Sequence, residues 1–408
     1  MSDTGKLRIV HIVRSPIGGI FRHIVDLAEG QIAAGHDVGV ICDSLTGDAM
    51  SARWIARLSP QLSLGLHRVP MLRTPGPQDM LAVWNLARLI RKLSPDVLHG
   101  HGAKGGVFAR VIGSWLGFVG KRPLRIYCPH GGSLHYDPKS AQGRIQFMIE
   151  RLLARVTDGF IFVSNYEERT FRTKVTVPLK PVRRVFNGLK PEEFELLEPS
   201  EYAADLVHVG MLRKLKGTQV LIEALKRLAE RENLRPTLRI IGAGEDRHAF
   251  EAQVVEAGLS SQVHFFEPMP IRDALAQGRI LVVPSLAESM PYVVIEASAA
   301  GMPVVATRVG GIGEIFGDLS DHLVPPDNPA ALAAKIGSTL RAEAEARERA
   351  LAIREAIAED FSADHMVAST LEFYGDLMTP RRARRVEAAD TTQPQGKPAR
   401  GRTLPLSH

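Results

Sequence analysis

Residues 279–314 read RILVVPSLAESMPYVVIEASAAGMPVVATRVGGIGE, and this stretch decides the fold that the sequence predicts. The β-branched run at 279–283 ends at a Pro-Ser pair, which is typical of a buried parallel strand. Residues 291–300 are predicted to form one helix, and its leading proline costs little because a first-turn N–H has no helical partner. The Gly-Met-Pro at 301–303 ends that helix, and the next strand follows at 304–307. This order of strand, helix and strand predicts a parallel α/β sheet.

Two carboxylates of this stretch, Glu288 and Glu296, are eight residues apart. That spacing corresponds to about 2.2 turns of an α-helix, so the side chains would share a face if both were helical. Because Glu288 lies in the loop before the helix, both can point into one crevice at the carboxyl edge of the sheet, where open α/β sheets bind ligands. The first amides of the helix also attract anions there. The alternative is that both glutamates are solvated surface charges.

The segment PSLAESMPYVVIEASAAGMPVVAT resembles the E-x7-E motif of the retaining GT-B glycosyltransferases of family 4. In that family the second glutamate binds the nucleotide ribose, and the first lies against the transferred sugar. The resemblance therefore implies these roles for Glu296 and Glu288. The sequence departs from the family at 289–292, which read Ser-Met-Pro-Tyr where many relatives have Gly-Phe-Gly. Because Pro291 has no N–H to offer a donor oxygen, this departure leaves the identity of the donor sugar open.

Length and composition limit the class of protein. With 408 residues, 45% of them hydrophobic and 24% charged, the chain is an ordinary globular sequence long enough for two domains. Cys42 and Cys128 provide neither a disulfide framework nor a metal-ligand cluster, which favours a reducing cytoplasm. The first residues enter a predicted strand without a signal-peptide pattern, and no run of about 18 apolar residues predicts a transmembrane helix. We therefore expect a cytoplasmic protein.

Charge is distributed unevenly along the chain. Residues 1–190 carry a net charge of +14, residues 191–378 carry −13, and the tail from 379 carries +5. A basic half of this size indicates contact with an anionic surface, such as anionic lipids or a lipid-diphosphate acceptor. Nucleic acid is the next candidate, but no nucleic-acid-binding fold signature accompanies the charge, so we expect no nucleic-acid partner. A basic solvated face without a partner is the remaining alternative.

The N-terminal half begins with a βαβ unit. The apolar strand LRIVHIV at 7–13 precedes Gly18-Gly19 and a helix at 20–31, and a second strand follows at 36–42. Glycines in a βα loop let the backbone approach a phosphate, and the helix N-terminus attracts negative charge. The loop lacks the G-x-G-x-x-G pattern, so we do not predict NAD binding. Instead it resembles the glycine loop that faces the donor diphosphate in the family.

Histidines follow two later strands of this half. The sequence HGHGAKGG at 99–106 places His101 and Lys104 just after a strand, where the resemblance implies the acceptor side. The alternative is that His101 only caps a turn. His130 lies in a Pro-His-Gly turn after the strand at 125–128, and it resembles the active-site histidine that hydrogen-bonds the donor sugar. A neutral imidazole can donate or accept such a bond.

The C-terminal half repeats the βα pattern after an acidic linker at 192–205. The sequence GMLRKLKG at 210–217 resembles the G-R-L-x-x-x-K-G loop whose arginine and lysine bind the donor diphosphate in the family. Lys216 matches the lysine, but Met211 stands where the family has its arginine. We expect Arg213 to reach the same phosphates instead. A cation is needed there because the leaving diphosphate develops negative charge.

These resemblances define a predicted site. Its catalytic residues are Glu288, His130 and Lys216. Its donor-binding residues are Gly18, Gly19, Arg213, Lys216, Glu267, Met290, Tyr292, Val293 and Glu296, and its acceptor residues are His101 and Lys104. The loop of Glu267 is where relatives contact the nucleobase through main chain. We expect no cofactor and no metal, because the nucleotide-sugar is a substrate, lysine and arginine supply the positive charge, and the sequence has no Asp-x-Asp motif.

The resemblance implies the GT-B fold, in which two doubly wound Rossmann-like α/β domains face a cleft. Residues 1–190 form the predicted acceptor-side domain and residues 191–361 the nucleotide-sugar-binding domain. Residues 362–378 form a helix that crosses back to the first domain. Residues 379–408 are predicted to be a disordered basic tail.

The implied activity is that of a retaining glycosyltransferase. It would move a sugar from a UDP- or GDP-linked donor to a glycan or a polyprenyl-diphosphate-linked acceptor, in cell-envelope, exopolysaccharide or lipopolysaccharide biosynthesis. We expect it to lie peripherally on the inner face of the cytoplasmic membrane. Two alternatives remain: a sugar-nucleotide epimerase on the same fold, which would need no acceptor, and a non-catalytic scaffold of a polysaccharide assembly complex, which would tolerate loss of Glu288 and Lys216.

Overall fold

Two parallel sheets, each built from successive β–α units, organise the chain. The computed structural model describes residues 5–71 and 78–390. Each sheet reverses its strand order once, and such a reversal opens a crevice at the carboxyl ends of the strands. The two-domain doubly wound architecture that the sequence predicted is confirmed.

The first domain has seven described strands in the order β3-β2-β1-β4-β5-β6-β7. These are β1 (Arg8–Val13), β2 (Asp37–Asp43), β3 (Leu66–Val69), β4 (Val97–His101), β5 (Leu124–Cys128), β6 (Gly159–Phe162) and β7 (Val182–Arg184). Its helices are α1 (Gly18–Ala33), α2 (Ala49–Leu58), α3 (Gln78–Leu93), α4 (Gly102–Val119), α5 (Ala141–Val156) and α6 (Asn165–Lys174). The order reverses between β1 and β4, where His11 pairs in register with His99. Histidines therefore line the point at which a crevice is expected.

The second domain has five described strands in the order β10-β9-β8-β11-β12. These are β8 (Ala204–Val209), β9 (Leu238–Ile241), β10 (Val263–Phe266), β11 (Gly278–Val283) and β12 (Val304–Ala306). Its helices are α7 (Thr218–Arg231), α8 (Arg247–Glu256), α9 (Ile271–Leu275), α10 (Tyr292–Ala299), α11 (Ile312–Phe316), α12 (Pro329–Arg341) and α13 (Glu343–Ile357). The strand, helix and strand predicted from residues 279–314 correspond to β11, α10 and β12.

A last helix, α14 (Ala363–Asp390), returns from the second domain to the first. Leu189 anchors its start, because the Leu189 N–H donates to Phe361 O at 2.8 Å and its carbonyl accepts from Ala363 N–H at 2.7 Å. We predicted that the crossing helix stops at 378 and that disorder begins at 379, but the helix continues to Asp390. Its Ala- and Arg-rich end lacks apolar periodicity, which favoured disorder, but alanine and arginine have high helix propensity. The rest of the predicted tail, 391–408, lies outside the described residues.

A continuous apolar core joins the two domains. The cluster contains Ile9 and Ile126 of the first sheet, Val207 of the second sheet, and Met290 and Tyr292 from the cleft between them. The loop and helix that carry the E-x7-E motif are therefore fixed by packing from both domains. In the described part of the chain no helix is long and apolar enough to cross a membrane.

The packing of α14 on α1 gives a test of the fold. A Cβ atom at Gly30 would collide with the side chain of Val367, so Gly30→Ala forces the two helices apart. We expect the free energy of unfolding in urea to fall by about 1–3 kcal/mol. Gly313→Ala is the matched control, because a Cβ atom there would meet no heavy atom within 4 Å. Adding Val367→Ala to Gly30→Ala should recover part of the loss, and no recovery would contradict this packing.

Candidate active site

The two glutamates of the E-x7-E motif lie in the cleft between the sheets. Glu288 precedes α10 and Glu296 lies within it, and they are only 8% and 7% exposed. Both are thus buried, which argues against solvated surface charges. The first turn of α10 faces the glycine loop of the first domain, since a Cβ atom at Gly19 would lie 3.1 Å from Cδ2 of Tyr292. The structure therefore brings the loop of Gly18 and Gly19 against the start of α10.

Lys216 forms an ion pair with Glu288. The Lys216 Nζ lies 2.6 Å from Glu288 Oε1, and the Ser285 hydroxyl donates to the same oxygen at 2.7 Å. Lys216 ends a short 3-10 turn and is followed by Gly217, whose φ is +75°. A Cβ atom at Gly217 would collide with the carbonyl of Pro284, so only glycine lets the lysine loop approach the loop of Glu288. The G-x-x-x-x-x-K-G spacing thus sets the distance between cation and carboxylate.

Glu296 is bound by a cation from the opposite domain. The Arg22 guanidinium, from the first turns of α1, contacts Glu296 and Glu193 and lies 3.3 Å from Asp26. It also lies 4.5 Å above the centre of the Tyr292 ring. Burial disfavours the charged guanidinium, but Glu193 and Asp26 outweigh it and hold the Arg22 pKa above its ordinary value. A ribose at Glu296 must therefore share this carboxylate with Arg22 or displace it.

Sequence reasoning did not assign a role to Arg22. An arginine near the start of a helix is unfavourable next to the positive end of the helix dipole, so it needs a compensating partner. That unfavourable position was the signal in the sequence that Arg22 has an acidic partner. The partner could not be identified, because Glu296 is 274 residues away in the chain.

His130 occupies a strained turn at the edge of the first sheet. Its φ is +50°, a left-handed conformation that costs a non-glycine residue about 1–3 kcal/mol. Its Nε2 lies 3.0 Å from Nδ1 of His101. Burial, together with neighbouring imidazoles, holds the pKa of both rings well below the ordinary value, so both are neutral near pH 7. A neutral imidazole at this position can exchange hydrogen bonds with a sugar hydroxyl.

His130 is part of a larger group of histidines. The five rings are His11, His23, His99, His101 and His130, and neighbouring rings lie with centroids 4.0–5.6 Å apart, most of them tilted against one another. His101, which we expected to contact the acceptor, is 1% exposed and bonds to His11 and His130 instead. The structure thus places His101 beneath His130, and its acceptor role stays a prediction. The sequence concealed this group because three of the rings lie on strands that read as apolar.

Two further side chains that sequence reasoning missed connect the domains. Glu167 accepts hydrogen bonds from Gly131 N–H, from Val163 N–H at 3.0 Å and from the Ser289 hydroxyl at 2.9 Å. Burial raises its pKa to about 7. Ser164 and Glu167 have the Ser-x-x-Glu spacing of a helix N-terminus, which was a usable signal for the helix but not for the bond to Ser289.

The second missed link is Asn187, in the Asn-Gly turn that ends the first domain. Its Nδ2 donates to the Met290 carbonyl at 2.8 Å, and its Oδ1 lies 3.0 Å from Nδ1 of His23. Asn187 thus ties the loop of the E-x7-E motif to the histidine group.

Other predicted residues lie apart from the Lys216–Glu288 pair. Arg213 pairs with Glu245 at 3.4 Å and is half exposed, and its role at the donor diphosphate stays a prediction. Glu267 is exposed and pairs with Arg247.

Lys104 lies in the first turn of α4, with its Nζ 5.8 Å from the centre of the Phe108 ring. Val293 is half-buried in the first turn of α10 and packs against the shared core. The nucleobase role of the Glu267 loop and the acceptor role of Lys104 remain predictions.

Comparisons with known proteins match both domains of the chain. The family model described as Glycosyltransferase Family 4 matches residues 17–193, and the model described as Glycosyl transferases group 1 matches residues 203–342. A glycogen synthase from Mycobacterium tuberculosis is 28% identical over 386 residues, which cover 88% of this chain and 91% of that protein.

Solved structures share the fold. HepE from Anabaena, in complex with UDP and glucose, has a TM-score of 0.74 at 17% identity, covering 90% of this chain and 99% of HepE. WaaG, a glycosyltransferase involved in lipopolysaccharide biosynthesis, has a TM-score of 0.67 at 18% identity, covering 89% of this chain and 99% of WaaG.

The raised pKa of Glu167 predicts a pH dependence of stability. The ordinary pKa of Glu167 is 4.5, and in the folded protein it is about 7. Between these two pH values the folded protein keeps the proton on Glu167, whereas the unfolded chain has released it. Stability from this group therefore falls as pH rises through that interval. Relative to Glu167→Gln, the wild type should lose about 2 kcal/mol of unfolding free energy between pH 5.5 and 7.5, measured by urea denaturation. The exposed Glu192→Gln should leave the slope unchanged, and an unchanged slope in Glu167→Gln would contradict the assignment.

Proposed function

Because this chain belongs to glycosyltransferase family 4, we propose that it transfers a hexose from a UDP-linked donor to a glycan or lipid-linked acceptor with retention of configuration. The fold and the transferase class are those that the sequence predicted. HepE, which was solved with UDP and glucose, supports UDP as the donor nucleotide, with GDP as the alternative.

One observation carries the proposal: the Lys216–Glu288 pair lies in the same cleft as the start of α10 and the glycine loop. When the bond between the sugar C1 and the diphosphate oxygen breaks, negative charge develops on the diphosphate. Lys216 and backbone amides near Gly19 and the start of α10 stabilise that charge. The acceptor hydroxyl attacks the same face of the sugar, and its proton passes to a diphosphate oxygen. Glu288 and His130 position the sugar.

Glu296 of the second domain and Arg22 of the first domain bind different parts of the donor. The Glu296 carboxylate accepts hydrogen bonds from the ribose hydroxyls, and this contact competes with its ion pair to Arg22. The released guanidinium lies next to the glycine loop, where it can bind the diphosphate. Arg22 would then supply the second cation for which the sequence suggested Arg213. With Lys216 and Arg22 as cations, transfer needs no divalent metal, and activity should be unchanged by a chelator.

The acceptor is proposed to lie on an anionic membrane. Helix α5 presents Ile145, Met148 and Leu152 on one exposed face, each with 53% exposure, and Arg144 and Arg155 flank them. Exposed apolar side chains with basic neighbours suit insertion between anionic head groups. The +14 charge of residues 1–190 adds attraction to such a surface. A polyprenyl-diphosphate-linked acceptor would be held at this surface.

Calorimetry with UDP, GDP and ADP tests the donor site. We expect wild type to bind UDP, Glu296→Ala to lose most of that binding, and Lys216→Ala to weaken it by about 1.5–3 kcal/mol because a charged hydrogen bond is lost. Lys214→Ala, in the same turn but exposed, is the control and should bind normally. If none of the nucleotides binds, the result would favour the alternative of a non-catalytic scaffold. Conversion of the nucleotide-sugar without any acceptor would instead favour an epimerase.

Sedimentation with lipid vesicles tests the membrane proposal. We expect binding to vesicles that contain phosphatidylglycerol, and at least about 10-fold weaker binding when Ile145, Met148 and Leu152 are all replaced by serine, because less apolar surface is buried. Val255→Ser, at an exposed apolar position of α8, is the matched control. Equal binding by the triple variant would exclude α5 as the contact.

A further inference from the structure

The histidine group at the base of the cleft has a property that the proposed transfer does not use. His23, His101 and His130 each offer one ring nitrogen, and the three nitrogens lie within 4.8 Å of one another. We propose that these three imidazoles bind a zinc ion, with a fourth coordination position open to the cleft. Three histidines and an open position are a common ligand set for zinc, whereas magnesium and calcium prefer oxygen ligands.

The hydrogen bonds of His23 leave one of its nitrogens free. Because Asn187 Nδ2 donates to the Met290 carbonyl, Asn187 Oδ1 must be the atom that faces His23. It accepts from the Nδ1–H of His23 at 3.0 Å, so the lone pair of that ring is at Nε2. His23 Nε2 is buried and has no hydrogen-bond partner. Metal-binding histidines have this arrangement, in which an oxygen fixes one ring nitrogen and the other binds the ion.

A chain of hydrogen bonds fixes His101 in the same way. The Gln31 Oε1 accepts from His11 Nε2–H at 2.8 Å, so His11 Nδ1 accepts from His101 Nε2–H at 3.0 Å. The lone pair of His101 is therefore at Nδ1, which faces His130 Nε2 at 3.0 Å. A metal ion can bind both rings if the proton of His130 moves from Nε2 to Nδ1. The number of protons on the protein does not change.

The three proposed ligands differ in their access to the cleft, since His23 and His101 are buried. His130 is partly exposed and gives the ion a path from the cleft. A second set, His11, His99 and His101, also has nitrogens within 4.8 Å, but all three rings are fully buried. Because both sets use His101, they compete for one ion.

The test uses the untagged full-length chain after treatment with a chelator. Elemental analysis following zinc addition and desalting should give one zinc ion per chain, and cobalt should give visible absorption bands of a nitrogen-ligated ion. His23→Asn keeps an atom that can bond to Asn187 but removes the position of Nε2, and should weaken zinc binding by about 100-fold or more. His130→Asn, which tolerates the left-handed backbone, should do the same. His208→Asn is the control, since both nitrogens of that buried ring are already bonded.

Circular dichroism checks that each variant is folded, and zinc should raise the melting temperature of the wild type and His208→Asn only. Absence of stoichiometric zinc in the wild type would overturn the proposal. Unchanged binding in both His23→Asn and His130→Asn, with loss in His99→Asn, would overturn it as well, because the ion would then occupy the deeper set.

Discussion

A buried ion pair between the domains is the interaction on which the cleft depends. Arg22 of the first domain contacts Glu296 of the second, and Asp26 and Glu193 share the guanidinium. Charges removed from water cost several kcal/mol unless they are paired, so this group is stable only while the domains remain together. Burial raises the pKa of Asp26, and the nearby Glu193 adds to that rise. The pair thus fixes α10, and with it the loop that carries Glu288, against the first sheet.

The two walls of the cleft differ in their electrostatics. The first domain contributes neutral imidazoles, which can exchange hydrogen bonds with uncharged hydroxyls without a large cost of charge burial. The second domain contributes Lys216 and Glu288, whose charges balance each other. Arg22 is a cation of the first domain that reaches across the cleft to Glu296 of the second domain. A molecule with a neutral end and an anionic end matches this division.

The sequence predicted those parts of the structure that depend on neighbouring residues. The sheets and the turn at His130 follow from periodicity and from turn residues at short spacing, whereas the choice of Glu288, Glu296 and Lys216 came from the resemblance to family 4. Contacts between distant residues were not predictable: Arg22 with Glu296, Glu167 with Ser289, and the assembly of the histidine group. Arg213 is close to Lys216 in the sequence but pairs with Glu245, a contact that the local sequence did not indicate.

The last helix completes the interior of the first domain. Tyr374 of α14 is buried, and its hydroxyl lies 2.7 Å from Nδ1 of His99 on β4. A ribosome adds Tyr374 only after both sheets have been made, so until then His99 on β4 lacks this partner and the apolar surface beneath α14 is uncovered. Domains commonly fold as units in order of synthesis, but here the first domain cannot finish before the second. A chain terminated between the domains would expose that surface.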